Sequence, residues 1–406
     1  MTALQRVPLR KIVRAIAGAA ERWSDGDFPP RVRILERIAE RTGYSLPVVE
    51  YALDRLFFSI TQSDLEATIR SELGTLEILD GFAEHAGRPQ AWAAPVGRVC
   101  MIASRTTIGV AITPAIFALC AKCDVVVKDR EDALAGAFFD TLAEELDELK
   151  GAAQALVWSS DDEHAPDLSA FDAVVAFGSD STLKAIGGAL RSGARFIGYG
   201  SRASAGYVTR ESLTDSQAKE IANGAARDLV LYESEGCLSL HVLFFEHGGG
   251  VDANRFCSML AHAVERANVE FPLARENAGV SARIAQHRDL AAFRAASGTG
   301  AVYADADAAY ALFLDPPKRE PPQFLPRTLG IITVDDPSQA LAYVRDHRLP
   351  LEGFAISSER PDVTQLAIDA GAVRLTQFGE LQHPPLAGHH GGRPRIAEFI
   401  RWIDKT

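Results

Sequence analysis

"VVAFGSDSTLKAI", residues 174–186, is an apolar run that stops at a glycine and restarts as an amphipathic segment. Such a stretch predicts a strand, a tight turn at Gly178, Ser179 and Asp180, and a helix. A glycine there lets a backbone approach a ligand, and the free N–H groups and dipole of the helix start suit a phosphate. The full G-x-G-x-x-G spacing is absent. An ordinary βα turn with a polar N-cap therefore explains the same residues equally well.

The pattern recurs on both sides. "GRVCMIA" (97–103), "DVVVKD" (124–129), "AQALVW" (153–158) and "RFIGYG" (195–200) read as further strands, with amphipathic helices between them. Val- and Ile-rich strands alternating with helices imply βαβ units and a parallel sheet. A second alternating stretch begins near residue 221, with strands at "LHVLFFE" (240–246), "RTLGIITVD" (327–335), "LEGFAIS" (351–357) and "VRLTQF" (373–378). Upstream, 10–23, 31–42, 45–60 and 63–73 carry apolar residues at helical spacing. The expected layout is a helical segment (1–84), a Rossmann-like domain (85–220), a second α/β domain (221–385), and a tail (386–406) ending in a helix that carries Trp402.

At 406 residues the chain is long enough for two or three cores. Its 47% hydrophobic and 24% charged residues fit a globular protein. The net charge of −12 argues against nucleic acid as a partner. No apolar stretch approaches the roughly 20 residues of a membrane span, and no signal-like block opens the chain. A cytoplasmic protein is expected.

Five cysteines, at 100, 120, 123, 237 and 257, are too few and odd in number for a disulfide framework. The C-x-x-C of Cys120 and Cys123 has no second pair at zinc spacing, so core packing is expected and no metal. Cys237 lies where a loop enters the strand "LHVLFFE", close to the expected domain junction. Ligand sites favour such junctions, which makes Cys237 a candidate nucleophile rather than a buried hydrophobe. Gly236 beside it leaves room for a close approach, whereas Glu233 and Glu235 would raise the thiol's pKa if they pointed at it. Lys128 ends a strand, where a cation can reach a ribose or phosphate. Arg130 offers a bidentate contact to a 2′-phosphate, opposed by Asp129 and Glu131. In the tail "LQHPPLAGHHGG", His383, His389 and His390 lack the spacing of a metal site, and a substrate-side loop is the better reading.

Taken in order, "VVVKD", "VVAFGSDSTLKAI", "RFIGYGSRASAGYV", "EGCLSLHVLFFE", "RTLGIITVDDPSQAL" and "LQHPPLAGHHGGRP" resemble the LuxC-like acyl-CoA reductases of the aldehyde dehydrogenase superfamily. The resemblance covers nearly the whole chain from about residue 20. It implies an aldehyde dehydrogenase-like α/β fold, with a Rossmann-like cofactor domain and a catalytic domain. It further implies a thioester on Cys237 and reduction of a fatty acyl-CoA or carrier-bound acyl group to an aldehyde. NADPH is the expected cofactor and NADH the alternative, held by Lys128, Arg130, Gly178, Ser179 and Gly200, with His389 and His390 on the substrate side. An acyl-protein synthetase partner and a homo-oligomer follow from the resemblance alone.

Two departures from the family pattern matter. Ser104 and Arg105 stand where relatives carry the asparagine that holds the oxyanion, so either becomes the candidate donor. The strand "FIGYG" lacks the glutamate with which hydrolytic relatives activate water, which favours thiol exchange and hydride acceptance over hydrolysis. Reduction of an acyl phosphate, and a catalytically weakened acyl- or partner-binding scaffold, are the competing readings.

Overall fold

The computed structural model describes residues 2–405, apart from 86–87, 105–106, 130–132, 160–161, 163–164, 275–277, 306–308, 317–321 and 323, and without the side chains of 85, 88, 89 and 278. Contacts divide the chain into two units: Met1–Thr42, Val49–Gly200 and Pro385–Thr406 form the first, and Gly43–Val48 with Ser201–Pro384 the second. The junction drawn from sequence near residue 220 falls inside a helix of the second unit.

The first unit opens with α1 (Leu9–Ser24), α2 (Pro29–Thr42), α3 (Leu46–Phe58) and α4 (Gln62–Leu73). On α1 the buried residues Leu9, Ile12, Val13, Ile16, Ala19, Ala20 and Trp23 recur every three or four positions, which makes one apolar stripe. Trp23 packs against Phe57 and Phe138, and its indole N–H donates to Thr141 Oγ1 at 3.0 Å. The strands β1 (Ala83–His85) and β2 (Arg88–Pro95) form an antiparallel pair. Then come β3 (Arg98–Ile102), α5 (Ile112–Cys120), β4 (Asp124–Lys128), α6 (Leu134–Glu145), β5 (Ala153–Leu156), β6 (Ala173–Phe177), α7 (Asp180–Gly188) and β7 (Arg195–Tyr199). Their five strands make a parallel sheet in the order β5-β4-β3-β6-β7. β6 is buried throughout, as a strand covered on both faces must be. The chain winds outward through β4 and β5 and returns to β6 beside β3, so the order reverses between β3 and β6.

The second unit contains β8 (Ala203–Val208), α8 (Asp215–Val230), β9 (Leu240–Glu246), α9 (Ala253–Glu270), α10 (Ala278–Ala296), β10 (Ala301–Ala304), β11 (Ala311–Asp315), β12 (Thr328–Val334), α11 (Pro337–Asp346), β13 (Leu351–Ile356), α12 (Pro361–Asp369) and β14 (Arg374–Thr376). Its sheet runs β10-β11-β12-β9-β8-β13-β14, parallel except for the β10–β11 pair. Tyr207, Phe244, Ile332, Tyr343 and Phe354 lie in one of its cores.

The tail corrects the sequence reading. Residues Ile400–Asp404 form a strand, β15, antiparallel to β2 and with Trp402 opposite Ala93, where a helix was expected. "IRWID" is too short to show a helical period, and its partner lies some 300 positions upstream, where no local pattern reaches.

Candidate active site

Four cysteines are buried and Cys237 is exposed. In the C-x-x-C, Cys120 is enclosed and Cys123 Sγ lies 3.4 Å from the Phe399 carbonyl. Burial pushes both thiols up to about 12. Cys237 instead occupies the second position of a β-turn, closed by the Ser239 N–H donating to the Gly236 carbonyl at 3.0 Å. This turn feeds β9, which lies in the interior of the seven-stranded sheet. A Cβ added at Gly236 would touch Ser239 and Gln382, so the space left by that glycine faces the protein and not a ligand.

Ahead of the turn, Tyr232, Glu233 and Ser234 all adopt left-handed backbone, with φ of 55°, 53° and 57°. That conformation costs non-glycine residues roughly 1–2 kcal/mol each. Local bonds hold it: Ser234 Oγ donates to the Leu229 carbonyl at 2.8 Å, and the Glu235 N–H to the Tyr232 carbonyl at 2.9 Å. Strain of this kind gathers where a side chain must be aimed. Behind the turn, Gln382 Nε2 donates to Ser239 Oγ at 2.8 Å. The segment that carries Gln382 is fixed by the buried Asp228 carboxylate of α8, which accepts from the N–H groups of Gly379 (2.6 Å) and Leu381 (3.1 Å).

The electrostatics of the thiol were only half legible. Solvent reaches Cys237, yet protein surrounds it on most sides, and this desolvation pushes the thiol up to about 12. The next cause is the Glu352 carboxylate, while Arg202 and the N–H groups of Cys237 and Leu238 pull the other way. Arg202 Nε lies 3.4 Å from Glu352 Oε2. The two acidic residues flagged by sequence are turned elsewhere: Glu235 approaches the Tyr44 hydroxyl at 3.5 Å, and Glu233 acts on the buried Arg327. Arg202 precedes β8, Cys237 precedes β9, and Glu352 is the second residue of β13, so three neighbouring strands bring them to one edge of the sheet. Only the register joins residues 35 and 115 positions apart from the cysteine; local sequence reading missed them.

In the first unit the expected cofactor residues gather at the carboxyl ends of the parallel strands. Ile102 of β3 stands opposite Lys128 of β4 and Ala176 of β6, and Phe177 opposite Tyr199. Ser104, Lys128, Gly178, Ser179 and Gly200 therefore share one edge, centred on the reversal between β3 and β6, where such sheets bind ligands. Ser179 caps α7, accepting the Thr182 N–H at 3.3 Å. A Cβ at Gly200 would come within 2.8 Å of Asp180 Oδ1, so a side chain there would press on the start of α7. Lys128 is buried, its ammonium 5.1 Å from the Trp158 ring. The Asp129 carboxylate accepts from the Ala135 N–H at 3.1 Å, and so faces α6. A buried cation beside the capped start of a helix fits a dinucleotide phosphate, whereas the space at Gly200 faces Asp180 and Leu183 of the protein itself. Arg105 and Arg130 lie outside the described residues.

His390 is half-buried and stacks on Tyr199 at 4.4 Å, with Phe177 next in the stack, so the histidine loop covers the ends of β6 and β7. Desolvation pushes it down to about 4, which makes it a neutral aromatic cover. His389 is exposed. Among the described residues no three His, Cys, Asp or Glu are placed to hold a metal, and no helix is long and apolar enough to cross a membrane.

A family model for acyl-CoA reductase (LuxC) matches residues 4–402. No curated protein matches the chain by sequence. Among solved structures, glyceraldehyde-3-phosphate dehydrogenase of Methanocaldococcus jannaschii, complexed with NADP, is similar with a TM-score of 0.71 at 10% identity, over 98% of this chain and 90% of that one. An NAD-dependent benzaldehyde dehydrogenase of Corynebacterium glutamicum gives 0.70 at 14% identity, over 98% and 86%. Aldehyde dehydrogenase 21 of Physcomitrella patens, in complex with succinate, gives 0.69 at 11%, over 99% and 85%. The fold is that of the aldehyde dehydrogenases, as the sequence resemblance implied.

Proposed function

The chain belongs to the acyl-CoA reductase (LuxC) family, and we propose that it reduces an acyl thioester to an aldehyde, with NADPH, through a thioester on Cys237. The observation that carries this reading is the placement of one exposed cysteine on a hydrogen-bonded turn that follows a left-handed segment, while the other four are buried.

Cys237 Sγ, once its proton is lost, attacks the acyl carbonyl; the new S–C bond forms as the bond to the donor thiol breaks. The N–H groups of Cys237 and Leu238 favour the thiolate. In the first unit, Lys128, Gly178, Ser179 and Gly200, which share the strand ends beside the start of α7, would hold the cofactor phosphates. NADPH, when bound, would supply the hydride. Cys237 carries the resulting thiohemiacetal and leaves as thiolate when the aldehyde forms. β7 (Arg195–Tyr199) holds no carboxylate to activate water, and the Glu352 carboxylate near Cys237 is paired with Arg202, which favours reduction or thiol exchange of an acylated Cys237 over hydrolysis.

Incubation with NADPH and a series of acyl-CoAs, followed by cofactor absorbance, tests the reaction. Mass spectrometry without reductant should find a single acyl adduct, on the peptide bearing Cys237, and Cys237→Ser should fold, bind cofactor and form none. Acylation at another cysteine, or an unchanged rate in the serine variant, refutes the mechanism. Carrier- and synthetase-bound donors in the same assay decide the physiological thiol.

A further inference from the structure

One buried serine is bonded directly to the cysteine loop and, through His241, to the segment ahead of it. Ser204, the second residue of β8, has no exposed surface. Its hydroxyl donates to the Cys237 carbonyl at 2.8 Å and accepts the Gly353 N–H of β13 at 3.0 Å. Its own N–H donates to His241 Nδ1 at 3.3 Å, and His241 Nε2 stands 3.1 Å from the Ser234 carbonyl. An accepting Nδ1 leaves the imidazole proton on Nε2, so His241 donates to Ser234. The left-handed segment before the turn and the nucleophile itself are thus tied to the same residue of the neighbouring strand.

A peptide unit is planar, so fixing its carbonyl fixes the N–H on the opposite side. The Cys237 carbonyl shares its plane with the Leu238 N–H, one of the two amides that favour the Cys237 thiolate. We propose that Ser204 and, through it, His241 are positioning residues for the nucleophile, holding the Cys237–Leu238 peptide so that its N–H faces the sulfur. The inference rests on Cys237 being the nucleophile. The relay needs a neutral imidazole, and burial supplies one, pushing His241 down to about 4. The other charged groups near the turn are Glu352 and Arg202, which act on the thiol directly, and Glu233 and Glu235, which face Arg327 and Tyr44.

The test uses the full chain carrying Ser204→Ala or His241→Asn; the latter keeps an acceptor close to the Nδ1 position and loses the donor to Ser234. Alkylation of Cys237 by iodoacetamide is followed against pH, alongside acylation by acyl-CoA, NADPH affinity and the thermal midpoint. In Ser204→Ala the rising limb of the alkylation profile should move to higher pH, so that the rate at fixed pH falls about tenfold, one pKa unit. Acylation should fall at least as far, with NADPH affinity unchanged. His241→Asn should move the same way by less, and the double variant should be no slower than Ser204→Ala, since both act on one loop. If Ser204→Ala does not fold, His241→Asn carries the same readout. Alkylation profiles that overlay wild type, whatever the thermal midpoint, overturn the proposal and leave a structural serine. An active Cys237→Ser would instead overturn the assignment of the nucleophile, so the two failures are told apart.

Discussion

Replacing Glu352 by glutamine should make Cys237 more reactive, against the habit of active-site substitutions. A carboxylate beside a thiol disfavours the thiolate, and Glu352 is the leading charged cause of the raised pKa of Cys237, with Arg202 opposing it. At an effective dielectric near 20, a unit charge acting on a thiolate from beyond contact distance is worth about 1–2 kcal/mol. Solvent at the exposed cysteine screens a good part of that, leaving about one pKa unit, or about tenfold more thiolate at a given pH. Glu352→Gln also frees Arg202 from its ion pair, which acts in the same direction. Iodoacetamide alkylation between pH 7 and 10 reads the effect: the rising limb should shift down in Glu352→Gln and up in Arg202→Met. Superimposable profiles would refute the electrostatic reading. Faster alkylation combined with slower acylation would give Glu352 a second role, as the acceptor of the thiol proton.

Lys128→Met removes the buried cation at the carboxyl end of β4. It should raise KM for NADPH about tenfold with little change in kcat, by analogy with the loss of a charge-assisted hydrogen bond; an unchanged KM would show that Lys128 does not hold the cofactor. At the far end of β9, the buried Glu246 carboxylate receives Arg360 at 2.8 and 2.9 Å and Arg210 at 2.8 Å. Glu246→Ala should cost about 2 kcal/mol in denaturant unfolding, because it removes charge-assisted hydrogen bonds to a buried carboxylate while both arginines keep other partners. The ion pairs lower the Glu246 pKa, so its contribution is present above the ordinary carboxylate range and is lost as pH falls through the folded-state value. An acid-unfolding midpoint identical in wild type and Glu246→Ala would contradict this.

What could be read from the chain was what repeats within it. β3, β4, β6, β9 and β12 are continuous apolar runs, and the helices around them show a helical period; hence the two α/β stretches and the turn at Gly178–Ser179 were visible. β8 was not, because "ASAGYV" is composed of small residues with little apolar bulk. Its smallness has a structural use: a Cβ at Gly206 would stand 2.5 Å from the Phe378 ring, so the strand must be thin there for residues 378–382 to pack across it. The same thinness brings Ser204 close to Gly353 and to the cysteine turn.

This explains why the candidate nucleophile stood out in the sequence and its surroundings did not. A cysteine at a loop–strand boundary is a local feature, and the family motif around it sharpened the reading. The residues that set its chemistry come from the starts of β8 and β13, and they meet the cysteine only because those strands pair in the order β9-β8-β13. Register decides which side chains stand beside one another in a sheet, and a shift of one residue would turn Ser204 to the opposite face. The pairing of Ser204 with Leu240 and the irregularity that follows it, between Ser204 and Ala205, therefore shape the surroundings of Cys237 as much as the turn does. Bulges of this kind re-aim side chains. Here the serine below the irregularity points at the turn, while the valines and phenylalanines above it serve only the core.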